Sequence, residues 1–247
     1  YTNKKLLVIM LLGFASGLPL LLTLSTLSVW LVEIGITKTT IGFFALVGLP
    51  YSFKFLWAPF MDNLKIPFLT NYLGRRRSWI LLTQIFLILS LIFLGYSNPS
   101  VDPKITALAA LLVAFFSASQ DIVIDAFRVE SLEKKLYGAG AAMIVFGYRI
   151  GMLSAGAGAL YLASFYQWSV VYILMSLQIL IGSFAILVSR EPEQGSLIDI
   201  EKKKNILQWF NNSVINPFRD FMKKGNWIII LLFVVLYKFG DALVSVV

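Results

Sequence analysis

The fold class this sequence predicts is all-α and polytopic, a bundle of membrane-crossing helices, and three observations predict it. The chain is 58% hydrophobic and only 14% charged, with a mean hydropathy of +0.81; soluble domains are about 25% charged. Its apolar residues come in continuous runs of about 20, the length that crosses the hydrocarbon layer as a helix. Its Lys and Arg residues fall between those runs and alternate in density from one gap to the next. Transmembrane strands alternate apolar and polar residues over about 10 positions. These runs do not, so helices are expected.

Spans are expected at 6–31, 41–57, 79–96, 105–124, 138–162, 168–188 and 227–247. The first run is too long for a signal-peptide core and has no small-residue cleavage site, so it reads as a retained span. On one side of the membrane lie Lys4, Lys5, Lys65, Arg75–Arg77, Arg128, Lys134, Lys135, Arg190, Lys202–Lys204, Arg219, Lys223 and Lys224; on the other only Lys38 and Lys104. That asymmetry predicts a cytoplasmic N-terminus. The net charge of +8 is thus a property of membrane topology, and nucleic acid is not an expected partner. Lys54, Arg149 and Lys238 lie inside spans.

The longest inner connection begins near residue 189. It carries Ile206, Leu207, Phe210, Val214, Phe218, Phe221 and Met222 at near-helical spacing, interrupted at Pro217. It reads either as an amphipathic segment on the inner membrane surface or as a loosely packed linker. The expected organisation is a six-helix bundle over 1–188, a cytoplasmic linker over 189–226 and, over 227–247, the first helix of a second bundle. The chain is therefore expected to be part of a longer two-bundle protein.

The sequence has no Cys and no His. That excludes a Ser-His-Asp triad, a Cys-His dyad and His-ligated metal. No enzymatic role, cofactor or metal is expected; an aspartyl pair of Asp121 with Asp241 is the only intramembrane enzyme chemistry left open.

The polar residues inside the apolar runs are the candidates for function, because an ionised side chain at membrane depth costs roughly 2.5–3.5 kcal/mol on the insertion scale. Asp121, Asp125 and Arg128 share one helix face: a rotation of 100° per residue puts the last two about 40° and 20° either side of the first. Asp121 lies roughly 10 Å in from the inner surface, and Lys54 roughly 12 Å. Asp121 is the proton-site candidate, with a static pair to Lys54 or Arg149 as the alternative. A free Asp titrates near 3.9, so cycling near neutral pH requires burial and a partner that moves. Ser117 and Gln120 are placed to hydrogen-bond beside it. Lys54 either snorkels or faces a cavity with Tyr51 and Trp57. Arg149 lies too deep to snorkel cheaply, and its fork suits a carboxylate; helix packing is the alternative. Gly147-x-x-x-Gly151 allows close approach of a neighbouring helix. Lys238 and Asp241, three residues apart, are the last span's contribution.

Six stretches in order resemble the muropeptide permeases of the AmpG type, a branch of the major facilitator superfamily. They are Gly17-Leu-Pro19; 41–59 with Gly48-Leu-Pro-Tyr51 and Lys54-Phe-Leu-Trp-Ala-Pro59; Leu73-Gly-Arg-Arg-Arg with Trp79; Ser117-Ala-Ser-Gln-Asp-Ile-Val-Ile-Asp-Ala126; Gly138-Ala-Gly-Ala-Ala142 with Gly147-Tyr-Arg149; and Tyr237-Lys with Gly240-Asp-Ala242. Acetyl-coenzyme A transporters share parts of the pattern. The superfamily's loop motif is split here: eleven residues separate Asp62 from Gly74, and Asn63 stands where Arg is common.

The resemblance implies two six-helix bundles of inverted three-helix repeats, with the substrate site between them. It implies proton-coupled import of anhydro-muropeptides across the bacterial inner membrane for cell-wall recycling. The expected partners are a sugar–peptide, protons, the bilayer and a second bundle. Tyr51, Lys54, Gln120, Arg149 and Lys238 are then candidates for substrate contact, and Asp121 and Asp241 for proton coupling. Asp62, Arg75, Arg76, Arg77, Asp125 and Arg128 are candidates for an inner latch, with Asp125 and Arg128 pairing to the basic loop. A carrier of acyl-coenzyme A or another anionic metabolite, and a truncated membrane protein that does not transport, are the alternatives.

Overall fold

A computed structural model describes residues 3–192, 215–223, 225–233 and 236. Among the described residues every regular element is helical. Six helices are long and apolar enough to cross a membrane: Lys4–Glu33, Lys38–Leu56, Arg75–Tyr96, Pro103–Ser131, Lys134–Ala163 and Trp168–Val188. They are called the first to sixth spans below. The chain divides into two compact units, Tyr1–Gln194 and Gly195–Val247. In the second unit a short helix, Asn216–Met222, carries Pro217 in its first turn, and residues 227–233 and 236 are helical. Most of the expected seventh span, including Lys238 and Asp241, lies outside the described residues, as does the 206–214 part of the expected amphipathic segment.

Each span has a local cause for its shape. The first breaks at Leu24, whose φ and ψ of −111° and −89° are not helical. Pro19 has no N–H to give and crowds the preceding turn. Thr23 donates its hydroxyl back to the Pro19 and Leu20 carbonyls at 2.9 and 3.1 Å. The second span is the least regular, passing through two 3₁₀ turns at Ala45–Gly48 and Lys54–Leu56, with Pro50 starting the short helix between them. The fourth starts cleanly: Asp102 accepts from the Lys104 and Ile105 amides at 2.9 and 3.2 Å, and Pro103 takes the first position. It then runs seven residues past its expected end, so Asp125, Arg128 and Glu130 are all helical. The fifth widens into a π-bulge at Ser154–Gly158. There the Ala155 carbonyl accepts from Thr26 of the first span at 2.8 Å.

The packing pairs the first span with the fifth and the fourth with the second, the third with the fourth and the sixth with the first. The third also packs on the sixth, and the first on the fourth. Exchanging spans one to three for spans four to six leaves that pattern unchanged. The two triplets start on opposite sides of the membrane, so the repeat is inverted, as in major-facilitator bundles.

The core has three parts. The largest centres on Leu22, Leu27, Trp30, Leu91, Leu94 and Tyr172, towards the ends of the spans that the charge distribution predicts to face outward; the labels inner and outer below follow that expectation. Here Trp30 stacks on Trp168 at 5.7 Å, and the Tyr172 hydroxyl donates to the Leu22 carbonyl at 2.8 Å. A second lies near the inner ends, around Leu12, Ile80, Ile124 and Phe127. A small third holds Leu6, Ile9 and Leu132. Large apolar residues such as Phe43, Phe146, Leu153 and Phe184 remain exposed on the outside of the helices, where lipid is their solvent.

The tightest contact is between the first and fifth spans. Gly13 and Gly17 lie against the backbone of Ile144 and Tyr148; Gly147 and Gly151 lie against the backbone of Met10, Phe14 and Leu18. Two small-x-x-x-small faces therefore interlock. A Cβ on Gly147 would fall on the Met10 carbonyl, backbone that no rotamer change can move aside. Gly147→Leu is expected to destabilise the bundle by about 1–3 kcal/mol, seen as a lower melting temperature in detergent by circular dichroism. Gly138→Leu, where a Cβ meets nothing within 4 Å, is the control and should leave melting nearly unchanged.

Candidate functional site

Two groups of charged residues lie inside or at the inner end of the first unit. The first is the inner cluster, built on the start of the third span. Gly74 precedes that helix with φ +89°, a left-handed conformation that favours glycine. Having no side chain, Gly74 cannot cap the helix. Glu191, just past the sixth span, does so instead: its two carboxylate oxygens accept from the Arg76 and Arg77 amides at 2.8 and 3.1 Å. A carboxylate there also complements the positive end of the helix dipole. Its side chain occupies the place a Gly74 Cβ would need.

The Arg76 side chain, buried to 6% exposure, forms ion pairs with Asp62 at 2.7 Å and Glu130 at 2.5 Å. Its Nε also donates to both Glu130 oxygens. Arg75 reaches Glu130 at 3.7 Å and donates to the Asp62 carbonyl. Arg77 donates to the Ile186 and Leu187 carbonyls at 3.1 and 2.9 Å, binding the end of the sixth span.

This corrects the expected partners of the basic loop. Asp125 and Arg128 do not reach it; they pair with one another at 3.2 Å along their own helix. The reason is rotation: Glu130 lies about 140° round the helix from Asp125, on the side that meets the third span. Glu130 and Glu191 take the places assigned from sequence to Asp125 and Arg128.

The second group surrounds Asp121. One carboxylate oxygen, Oδ1, accepts a hydrogen bond from the Ser16 hydroxyl of the first span. The other, Oδ2, lies 3.9 Å from the Lys54 ammonium of the second span, an ion pair rather than a hydrogen bond. Trp57, near Lys54, ties the second span to the fourth by donating from its indole to Ser119 at 3.0 Å. The carboxylate opens on a cleft of about 170 Å³ lined by Ser16, Asp121, Asp125, Ile144, Val145 and Tyr148. At about 30 Å³ per water that space suits a few waters or a small ion. It is below the roughly 300–1,000 Å³ of sites for whole metabolites. A larger cleft of about 510 Å³, with Trp30, Glu33, Tyr96, Tyr166 and Trp168 among its lining, is at the outer end of the bundle.

The other candidates are placed as follows. The Gln120 amide is fully buried, and neither its nitrogen nor its oxygen has a hydrogen-bond partner among the described residues. The Ser117 hydroxyl is buried too, beside that of Tyr51. Neither supports Asp121 as expected; Gln120 is turned about 100° away from it into the bundle. The Tyr51 hydroxyl is likewise buried, beside the Ser117 and Thr23 side chains. Arg149 is exposed on the fifth span, with a polar contact to the Met152 sulfur at 4.0 Å. It makes no ion pair with Asp121, because its neighbour Tyr148 holds the position facing that cleft.

Comparison with known proteins agrees with this architecture. Residues 5–102 match the family described as acetyl-coenzyme A transporter 1. Over 243 residues, 98% of this chain and 47% of the relative, the sequence is 44% identical to the Anhydromuropeptide permease of Escherichia coli strain K12. It is 39% identical over 252 residues to "Putative transporter AmpG 4" of Rickettsia felis, covering 100% of this chain and 59% of that protein. The chain is a relative of the AmpG-type permeases. It spans about half the length of the curated relatives it matches.

Within this bundle, sequence reasoning missed three residues of the two charge groups. Ser16 is a small polar residue in an apolar run and carries no signal of its own. Glu191 acts from 115 positions away. Glu130 was signalled by its place beyond Arg128 on a continuing helix, had the helix been drawn longer. Glu130→Gln removes one of the two carboxylates on buried Arg76. It is expected to cost about 1–2 kcal/mol, read as a lower melting temperature in detergent. Glu133→Gln, whose pair with Lys135 is exposed, is expected to change melting little.

Proposed function

We propose that this chain supplies the first bundle of a proton-driven importer that takes anhydro-muropeptides from the periplasm into the cytoplasm for cell-wall recycling. The supporting observation is the 44% identity, over 98% of the chain, with a protein named for that substrate. The membrane is the bacterial inner membrane, with the N-terminus in the cytoplasm; the Lys and Arg distribution supports that orientation.

Asp121 carries the coupled proton. While charged, it holds the Lys54 ammonium. Protonation removes that attraction and frees the ammonium for an anionic group of the substrate; loss of the proton to the cytoplasm restores the pair. Lys54, Tyr51, Gln120 and Arg149 are the first bundle's substrate contacts. Lys238 is a further substrate contact and Asp241 a further proton site. Asp62 and Arg75–Arg77, with Glu130 and Glu191, hold the inner end shut in one conformation and part when the bundles rock; Asp125 and Arg128 sit beside them as a separate pair. The reaction is transport without covalent chemistry.

The test is uptake of a radiolabelled anhydro-muropeptide by the full-length protein in proteoliposomes under an imposed pH gradient. Asp121→Asn is expected to reduce accumulation to background while leaving insertion, checked by protease protection, intact. Normal accumulation by that variant would sink the proton role.

A second reading has its own observation, the match of residues 5–102 to the acetyl-coenzyme A transporter family. Here the anionic cargo is an acyl-coenzyme A. Competition separates the two: unlabelled acetyl-coenzyme A in excess is expected to leave muropeptide uptake unchanged, and inhibition would favour the second reading.

A further inference from the structure

Several serine and threonine hydroxyls in these spans bond back to a carbonyl three or four residues earlier, as such hydroxyls often do in apolar helices. Thr23, Ser28, Thr83, Ser90 and Ser176 all follow that rule. Ser16 does not. It is buried to 6% exposure, and its hydroxyl donates across the bundle to Oδ1 of Asp121. A hydroxyl has one proton to give, so the backbone bond is forgone for the carboxylate.

The position of that hydroxyl is fixed from both sides. Ser16 lies between Gly13 and Gly17, the two residues pressed against the fifth-span backbone. Gly17 meets the backbone of Tyr148, whose side chain lines the same cleft as Asp121. The first span therefore cannot turn or slide locally without moving its backbone off the fifth. Oδ1 is thus held from the first span, and Oδ2 is left facing Lys54 on the second.

We propose that Ser16 is a positioning residue for Asp121: its hydroxyl fixes the carboxylate so that one oxygen is presented to Lys54 and to the cleft. This rests on the reading of Asp121 as the proton carrier. The other charged and titratable groups around the carboxylate are Lys54 and Tyr51 from the second span, Asp125 from its own helix, and Tyr148, with Arg149 next to it, from the fifth. Removing a donor to a carboxylate disfavours its charged form.

The experiment uses the full-length protein in proteoliposomes with Ser16→Ala, and with Ser16→Thr, which keeps the hydroxyl. Ser16→Ala is expected to move the midpoint of the pH profile of anhydro-muropeptide uptake upward by about one unit, with KM little changed. Ser16→Thr is expected to restore the profile. A second readout is independent of transport: the carboxylic C=O stretch of Asp121 in infrared difference spectra, assigned by its loss in Asp121→Asn. It is expected to shift to higher wavenumber in Ser16→Ala and return in Ser16→Thr. A band unmoved by Ser16→Ala overturns the positioning role. A band that moves while wild-type uptake is insensitive to pH supports it and removes the proton reading instead.

Discussion

In lipid, apolar side chains gain nothing by leaving their surroundings for one another. What holds two helices together is close van der Waals approach and the polar contacts that approach allows. In this bundle that constraint is met most fully between the first and fifth spans, where Gly13, Gly17, Gly147 and Gly151 bring backbone against backbone. Other features follow from it. The separation sets how far Thr26 must reach to the Ala155 carbonyl. It places Ser16 and Tyr148 on either side of Asp121.

The charged residues divide by depth into two kinds of chemistry. At the inner end, Arg76 is enclosed by Asp62 and Glu130, and Glu191 covers the helix start beside it. The local balance of charge is close to even, and the donors are held in fixed forks, as suits a contact between elements. Around Asp121 the arrangement is looser: one hydrogen bond, one ion pair at 3.9 Å and an open cleft. A carboxylate held this way can change partner at modest cost, whereas parting Arg76 from its carboxylates costs more, because it leaves a buried cation uncompensated.

Much of the frame was legible in the sequence. Run length and charge asymmetry located the six described spans, and the sixth at its observed limits, because hydrocarbon thickness constrains them directly. The pairing of Asp121 with Lys54 was legible because two charges at similar depth have few other ways to offset their cost. The partners of Arg75 and Arg76 were not. Asp125 and Glu130 are both acids near the end of one helix, and only its rotation against the third span chooses between them. Gly13 and Gly17 carried the same four-residue spacing as Gly147 and Gly151, but spacing alone does not say which two faces meet. Ser16 had no sequence signal, since its role depends on what lies across from it.

Glu191 caps the third helix from a point three residues beyond the last residue of the sixth. The main chain therefore departs from the bundle at a pinned site, past the helix end from which a linker's length would ordinarily be counted. Whatever follows Pro192 has its reach measured from that pin. Tension along it is borne first by a helix terminus rather than by a loop, which makes the start of the third span the place where mechanical load would enter the bundle.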